Sequence, residues 1–383
     1  MSQSPISSLK EHFEVLKDPR AQHRIEHLLI DIVVITICAV ICGAESWPEI
    51  EEYGLAKQVW LETLLELPNG IPSHDTFERL FARLRPKQMQ ECFINWVQSI
   101  YHIVPGEGVS LDGKALRGSA QKGNRSSLIY MVSAWATEAQ LVLGQQKVRG
   151  KSNEITAIPE LLKMLKIENA VVTIDAMGCQ RAIAEQIVSQ KGDYILALKG
   201  NQGNLHDEVI HWFEQAQEKR FAGIAYDLHE TEEFSHGRQE RRRHWILTEI
   251  ESLPGREQWA KLTAIGCVES QRTVGEKTST ETRYYLLSLP LDAARFAEKV
   301  RGHWGIENQL HWVLDVGFRE DQCRVMQDNA AANLAVIRHI AVNLIKQEKS
   351  IKAGTRTKRM RAGWDDQYLY KILAKSAQQN PKV

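Results

Sequence analysis

Between Asn153 and Gln202 the chain alternates helix-like and strand-like stretches so regularly that few folds can accommodate it. Ile155 to Leu165 has helical apolar spacing and Ala170 to Ile174 is a short apolar run ending at Asp175; Arg181 to Ser189 is helical again, and Tyr194 to Leu198 is a second apolar run ending at Lys199-Gly200-Asn201-Gln202. Strand, helix, strand with short links implies parallel strands joined by a right-handed crossover. Asp175 and Lys199 then emerge at the carboxyl ends of neighbouring strands, the edge at which open α/β sheets take ligands. Gly178 suits a tight turn from strand to helix.

The flanking segments read differently. Before the alternation, Val109 to Leu111 ends at Asp112-Gly113-Lys114, a loop with Gly, Ser, Lys and Arg runs to Ser127, and Leu128 to Ala136 and Leu141 to Val148 follow, joined by a short turn. Three such β-branched and aromatic runs predict an antiparallel meander. Residues 7 to about 104, bounded by Pro105-Gly106, read as helical. Leu28 to Ala44 is strongly apolar but short for a membrane span and carries Asp31, so a buried helix in a soluble protein is predicted. A helix from Trp47 toward Leu65 is followed, past Pro68-Asn69-Gly70, by cap residues at Ser73 to Thr76 and an apolar stripe Phe77, Leu80, Phe81, Leu84 with Arg79, Arg83 and Arg85 beside it. Helix, turn and arginine-bearing helix match a helix-turn-helix reader of DNA, although any helical hairpin gives the same spacing.

After a helix near Leu205 to Gln217, residues 220–290 form a β-rich insertion with runs Tyr226 to Phe234, Gln239 to Ile250, Leu262 to Val268 and Arg283 to Leu289, and a turn at Ser235-His236-Gly237. Strand alternation sends Arg241 and Arg243 to one face and Arg242 to the other. Helix returns at Asp292, a last helix runs from Asn329 to about Lys346, and a basic tail follows, with nine Lys or Arg residues from Lys349 to Lys382, Arg359 among them, against Asp365 and Asp366; such a terminus touches phosphate or is simply a solvated tail. The expected organisation is a helical region over 1–104, a core over 105–219, the insertion over 220–290, helical completion of the core over 291–348 and the tail over 349–383.

A chain of 383 residues exceeds one ordinary core. Its 43% apolar and 25% charged content is that of a globular protein, and its zero formal charge says nothing about partners. The six scattered cysteines lack zinc-site spacing and suit reduced thiols in a cytoplasmic protein; no signal peptide and no Walker loop is present.

The chemistry centres on His303-Trp304-Gly305-Ile306-Glu307-Asn308-Gln309-Leu310-His311-Trp312. Read at helical period, His303, Glu307 and His311 share one stripe, while Trp304 and Trp312 add apolar surface for burial. Taken alone, this is equally a core helix with a Glu held between two imidazoles. Asp112 and Asp175 change the balance: each follows an apolar run, and three carboxylates converging from two strands and a helix are what a divalent-metal phosphoryl-transfer site requires. His303 and His311 would orient Glu307, contact phosphate, or simply pack. Asp315, a further turn along, offers a fourth carboxylate but fits a surface helix end better. Meander, then strand-helix-strand with an Asp at the first strand's end, then a helix bearing Glu after an insertion, describes an α/β fold with a ribonuclease-H-like core.

The segments Leu111 to Ser119, Thr173 to Gln180, Ala197 to Gln202, His236-Gly237-Arg238 and His303 to Val316 resemble those of the H-repeat-associated group of bacterial insertion-sequence transposases, over nearly the whole chain. The resemblance implies a DDE-type transposase with Asp112, Asp175 and Glu307 as ligands of Mg2+, with Mn2+ as substitute. It further implies cleavage of double-stranded DNA at the ends of a mobile element and strand transfer into target DNA. Wider relatives carry Tyr, Arg and Lys at set offsets around the Glu; Val300, His303 and Leu314 stand there in this chain.

On this reading the amino-terminal helices contact the element ends, and Lys114, Arg117, Lys199 and Arg238, with His303 and His311, contact DNA. Cutting two ends together calls for a homodimer on DNA, and no membrane is involved. The other readings are a DNA-binding remnant that no longer cuts, and a metal-dependent nuclease without strand transfer.

Overall fold

The computed structural model describes residues 4–119, 128–148, 154–235 and 237–377. The loop to Ser127 and the His236 part of the turn motif lie outside them. Helix α1 (Ser7–Phe13), α2 (Leu29–Cys42), α3 (Trp47–Ala56), α4 (Gln58–Leu61), α5 (His74–Arg83) and α6 (Pro86–Ile100) precede strand β1 (Gly108–Leu116). Then come β2 (Ile129–Ala136), β3 (Leu141–Lys147), α7 (Glu154–Met164), β4 (Val171–Ile174), α8 (Arg181–Ser189), β5 (Asp193–Leu198) and α9 (Asn204–Glu218). The insertion supplies β6 (Tyr226–Ser235), β7 (Arg238–Leu247), β8 (Ala264–Val274) and β9 (Lys277–Leu287). Helices α10 (Ala293–Gly305), α11 (Ala330–Gln347), α12 (Thr355–Trp364) and α13 (Asp366–Leu373) complete the chain.

The nine strands of the described residues join one mixed sheet in the order β3-β2-β1-β4-β5-β9-β8-β7-β6. The predicted meander is present, since β1 and β2, and β2 and β3, pair antiparallel. The predicted crossovers are present too, β4 lying parallel between β1 and β5. The insertion is no separate body: β9 pairs antiparallel with β5, from Ile195 against Leu287 to Leu198 against Tyr284. Its arginines alternate as expected, Arg241 and Arg243 both reaching Glu230 while Arg242 pairs with Glu240 and Glu233.

The amino-terminal helices share their core with the sheet. Helix α2 buries every residue from Asp31 to Ile41. Such an apolar helix is stable only when covered all round, and α11, buried from Ala330 to Ile345, packs against it and against α5, α6 and β3. Asp31 is tolerated because its carboxylate accepts the Leu67 N–H at 3.0 Å. Among the described residues no single helix is long and apolar enough to cross a membrane. The helix expected from Trp47 to Leu65 breaks at Lys57, and residues 62–73 separate α4 from α5, too long a link for the tight helix-turn-helix hairpin.

The carboxyl-terminal stretch differs from the expected basic tail. Helices α12 and α13 pack on α2 and α11, and two of the basic residues are buried. Lys358 donates to the carbonyls of Ile345 and Glu348, while Arg359 donates to those of Val40 and Gly317 and lies over the Phe318 ring. These cations cap helix ends, where unpaired carbonyls concentrate negative charge. Composition alone cannot separate such caps from a solvated tail.

Candidate active site

Register places the two aspartates. Leu111 pairs with Ile174 at the end of the parallel β1–β4 ladder, so Asp112 and Asp175 follow side by side, Asp175 just past β4 and Asp112 midway along β1, which runs on to Leu116 instead of ending at Asp112 as expected. Both side chains fall on the sheet face of Ser110 and Thr173, because alternate residues share a face. Beyond β4 the chain turns sharply, and Asp175 caps that turn by accepting the Met177 and Gly178 N–H groups at 3.1 and 3.3 Å. Gly178 is needed here: a Cβ on it would stand 2.2 Å from Ile174 Cγ2.

Helix α10 crosses this face and brings in the third carboxylate. Past Gly305 the helix widens into π-helical turns over Ile306–His311 and again over Val313–Gly317. Hydrogen bonds in these turns span five residues rather than four, yet the side chains expected on one stripe all turn toward the aspartates, His303 and Glu307 beside Asp112 and Asp175 and His311 next to Asp112. Trp304 and Trp312, expected to be buried, are 41% and 59% exposed. Trp304 is covered on one side by the Arg283 guanidinium, 5.1 Å above its ring.

Asp112, Asp175 and Glu307 line one cleft of about 220 Å³ together with Thr173, His303, Lys199, Arg283 and Trp304. Burial pushes the Asp112 carboxyl up to about 7, and Asp175, Glu307 and Glu154 add to the effect against a hydrogen bond from the Gly113 N–H. His303 is placed by a hydroxyl chain: its Nδ1 lies 2.9 Å from Thr173 Oγ1, which donates to Ser110 Oγ at 3.1 Å. Thr173 has spent its proton on Ser110, so it accepts from Nδ1–H and leaves Nε2 as a free acceptor. Burial holds this imidazole below the usual histidine range, and Asp175 opposes the shift.

The other expected DNA contacts divide. Lys199 is exposed on the cleft rim. His311 sits behind Asp112, its Nδ1 3.5 Å from Asp112 Oδ2, and burial pushes it down to about 4, so it is a neutral prop. Lys114, expected on phosphate, is instead held inside: its Nζ bonds Asp315 and lies 2.7 Å from Glu320 Oε2 and 3.7 Å from Asp321. Glu320 is itself buried against Arg338, and Asp315, read as a surface helix end, belongs to this network. Charge at an alternating strand position does not tell whether the strand's neighbour is water or carboxylate. Arg117 is exposed, 3.5 Å from Asp321, and Arg238 is paired with Glu240 at 3.1 Å near the insertion's tip; neither lines the cleft.

Two groups at the site had no sequence signal. Arg283 lies on β9, near no motif, and Glu154 reaches the aspartates only through packing of α7. Among the described residues no three of these acidic or imidazole groups stand close enough to enclose an ion by themselves. Mg2+ keeps several waters and takes one or two carboxylates plus substrate phosphates, so the oxygen donors fit it in kind.

Comparison with known proteins agrees with this architecture. The family described as "Transposase DDE domain" matches residues 104–344, and that described as "DDE_Tnp_1-associated" matches residues 10–97. "Putative transposase YncI" of Escherichia coli O157:H7 is 42% identical over 374 residues, 96% of this chain and 95% of the relative. "H repeat-associated putative transposase YhhI" of Escherichia coli K12 is 41% identical over 377 residues, 97% of this chain and 99% of the relative. The chain belongs to the DDE transposases, and within them to the H repeat-associated group.

Proposed function

We propose that this transposase is active, cutting phosphodiester bonds at the ends of an insertion element and joining them to target DNA, with Asp112, Asp175 and Glu307 holding Mg2+ or Mn2+. The observation that carries the reading is the meeting of these three carboxylates, from β1, from the end of β4 and from the π-helical turns, in one cleft with cationic groups on its wall. The strand order β3-β2-β1-β4-β5, with β1, β4 and β5 parallel, supports a ribonuclease-H-like core. A pair of divalent ions in such a site would make water or a 3′-hydroxyl nucleophilic and offset charge on the phosphate.

The protein's own groups have distinct tasks. Asp175 and Asp112 are fixed by backbone N–H donors and by the neutral His311, so their oxygens face the cleft without rearrangement. His303 offers Nε2 as an acceptor for a water or a hydroxyl. Lys199 and Arg283 draw phosphate to the carboxylates by charge, and Arg117 and Arg238 extend the contact along the DNA. The amino-terminal helices read the element's ends, two protomers act together on DNA, and the protein works in the cytoplasm.

The test is metal-dependent cleavage of DNA carrying the gene's own flanks by wild type, Asp175→Asn and Glu307→Gln. Nicking at the ends by wild type alone, with binding retained by all three, supports the reading. Binding without cutting by wild type under Mg2+ and Mn2+ overturns it in favour of a DNA-binding remnant.

A further inference from the structure

Strand β1 changes character at Gly113. Its neighbours carry side chains to both faces, but Gly113 leaves the face opposite Asp112 open, and the first residue of α7 fills the space. A Cβ on Gly113 would stand 2.0 Å from Glu154 Oε1, 2.3 Å from Cδ and 2.9 Å from Oε2, so the carboxylate lies directly on the strand backbone beside Asp112. Among the described residues Glu154 makes no hydrogen bond and no ion pair, and its charge is felt by both Asp112 and Asp175. A half-buried carboxylate set against two others, with no compensating cation among the described residues, is costly unless a positive charge arrives.

From this placement we infer that Glu154 is a fourth acidic group of the metal site, entering through the gap at Gly113 and steadying the hydrated ion held by Asp112 and Asp175. The inference rests on the metal-binding role proposed above for those aspartates. Glu154 is a positioning residue: it approaches from the opposite sheet face, where it can accept hydrogen bonds from waters that the ion retains. Glycine at 113 is thereby explained by the carboxylate and not by backbone strain, because its φ is not positive.

The test is Mn2+ binding by the full chain without DNA, followed by electron paramagnetic resonance, for wild type, Asp175→Asn, Glu154→Gln, Gly113→Ala and the double variant of the last two positions. Thermal melting in chelator reports folding, and DNA affinity without metal reports the nucleic-acid surface. We expect Glu154→Gln to weaken Mn2+ binding about 10-fold, as loss of an outer-sphere partner commonly does. Gly113→Ala, which displaces the same carboxylate, should do likewise, and the double variant should be no worse than either alone. Glu154→Asp should recover part of the loss. Weaker Mn2+ binding by Asp175→Asn with none by Glu154→Gln overturns this inference alone. If Asp175→Asn also leaves Mn2+ binding unchanged, the metal reading of the whole site falls with it. Should Gly113→Ala melt too low to assay, the Glu154→Gln and Glu154→Asp isotherms decide.

Discussion

Lys114 Nζ lies 2.7 Å from Glu320 Oε2, tying strand β1 just past Asp112 to the segment that follows the Glu307 helix. Burial alone would push the Glu320 carboxyl up, but Lys114 and Arg338 hold it below its ordinary value. Lys114→Met should leave Glu320 and Asp315 without their common cation and destabilise the fold by about 3–5 kcal/mol, the usual result of breaking a buried pair from one side. Urea unfolding measures this. Because Lys114 is internal, the salt dependence of DNA binding should not lose the increment expected for a phosphate contact.

Asp112→Asn should stabilise the metal-free protein. Burial pushes the folded Asp112 carboxyl up to about 7, against 3.8 as a free group, so above pH 7 its ionisation works fully against folding. At about 1.4 kcal/mol for each tenfold difference in proton affinity between the folded and unfolded chain, the gain in chelator at pH 8 should reach at most about 4 kcal/mol. It should vanish near pH 3, where both states are protonated. A lower melting temperature for Asp112→Asn at pH 8 would contradict the crowding of carboxylates around Asp112.

Acid should unfold the protein through its buried histidines. Burial pushes His244, His311 and His339 down to about 4. Between pH 6.5 and 4 the unfolded chain takes up protons that the folded chain refuses, so stability present above pH 6.5 is lost as pH falls through that window. Each group contributes on the order of 3 kcal/mol across the whole window. Replacing His339 with Gln should flatten this part of the denaturation curve against pH.

Arg359→Leu should weaken the junction between the chain's two ends. It removes the side-chain donors to the Val40 and Gly317 carbonyls; Val40 keeps the Gly43 N–H, so the loss falls mainly at Gly317, and a buried acceptor left unpaired costs about 1–3 kcal/mol. Chemical denaturation should report that loss, with hydrogen exchange rising at the carboxyl end of α2 and around Gly317.

The strand-helix-strand alternation was readable because its signals are local: α8 spans Arg181–Ser189 as its periodicity implies, and Asp175 and Lys199 stand at strand ends as the links require. The turns around Glu307 were not, because a π-helical widening leaves little trace in apolar spacing, and Trp304 and Trp312 are apolar residues left at the surface, Trp304 beside the cleft. Lys114 and Arg359 were misplaced for a common reason. Cations on strands and helices look alike in sequence whether they face phosphate, carboxylate or a helix end. Glu154 was invisible because its role depends on an absent side chain at Gly113, far upstream in the chain.

The direct pairing of β9 with β5 also makes the insertion a ruler. Residues 277–283 of β9 extend beyond the stretch paired with β5, and at about 3.3 Å per residue they project roughly 20 Å from it. Six rungs of a DNA duplex, at about 3.4 Å each, cover that reach. Because β9 runs unbroken from Lys277 to Leu287, a DNA contact at the arm's tip, as proposed for Arg238, would lie at an offset from Glu307 counted in strand residues.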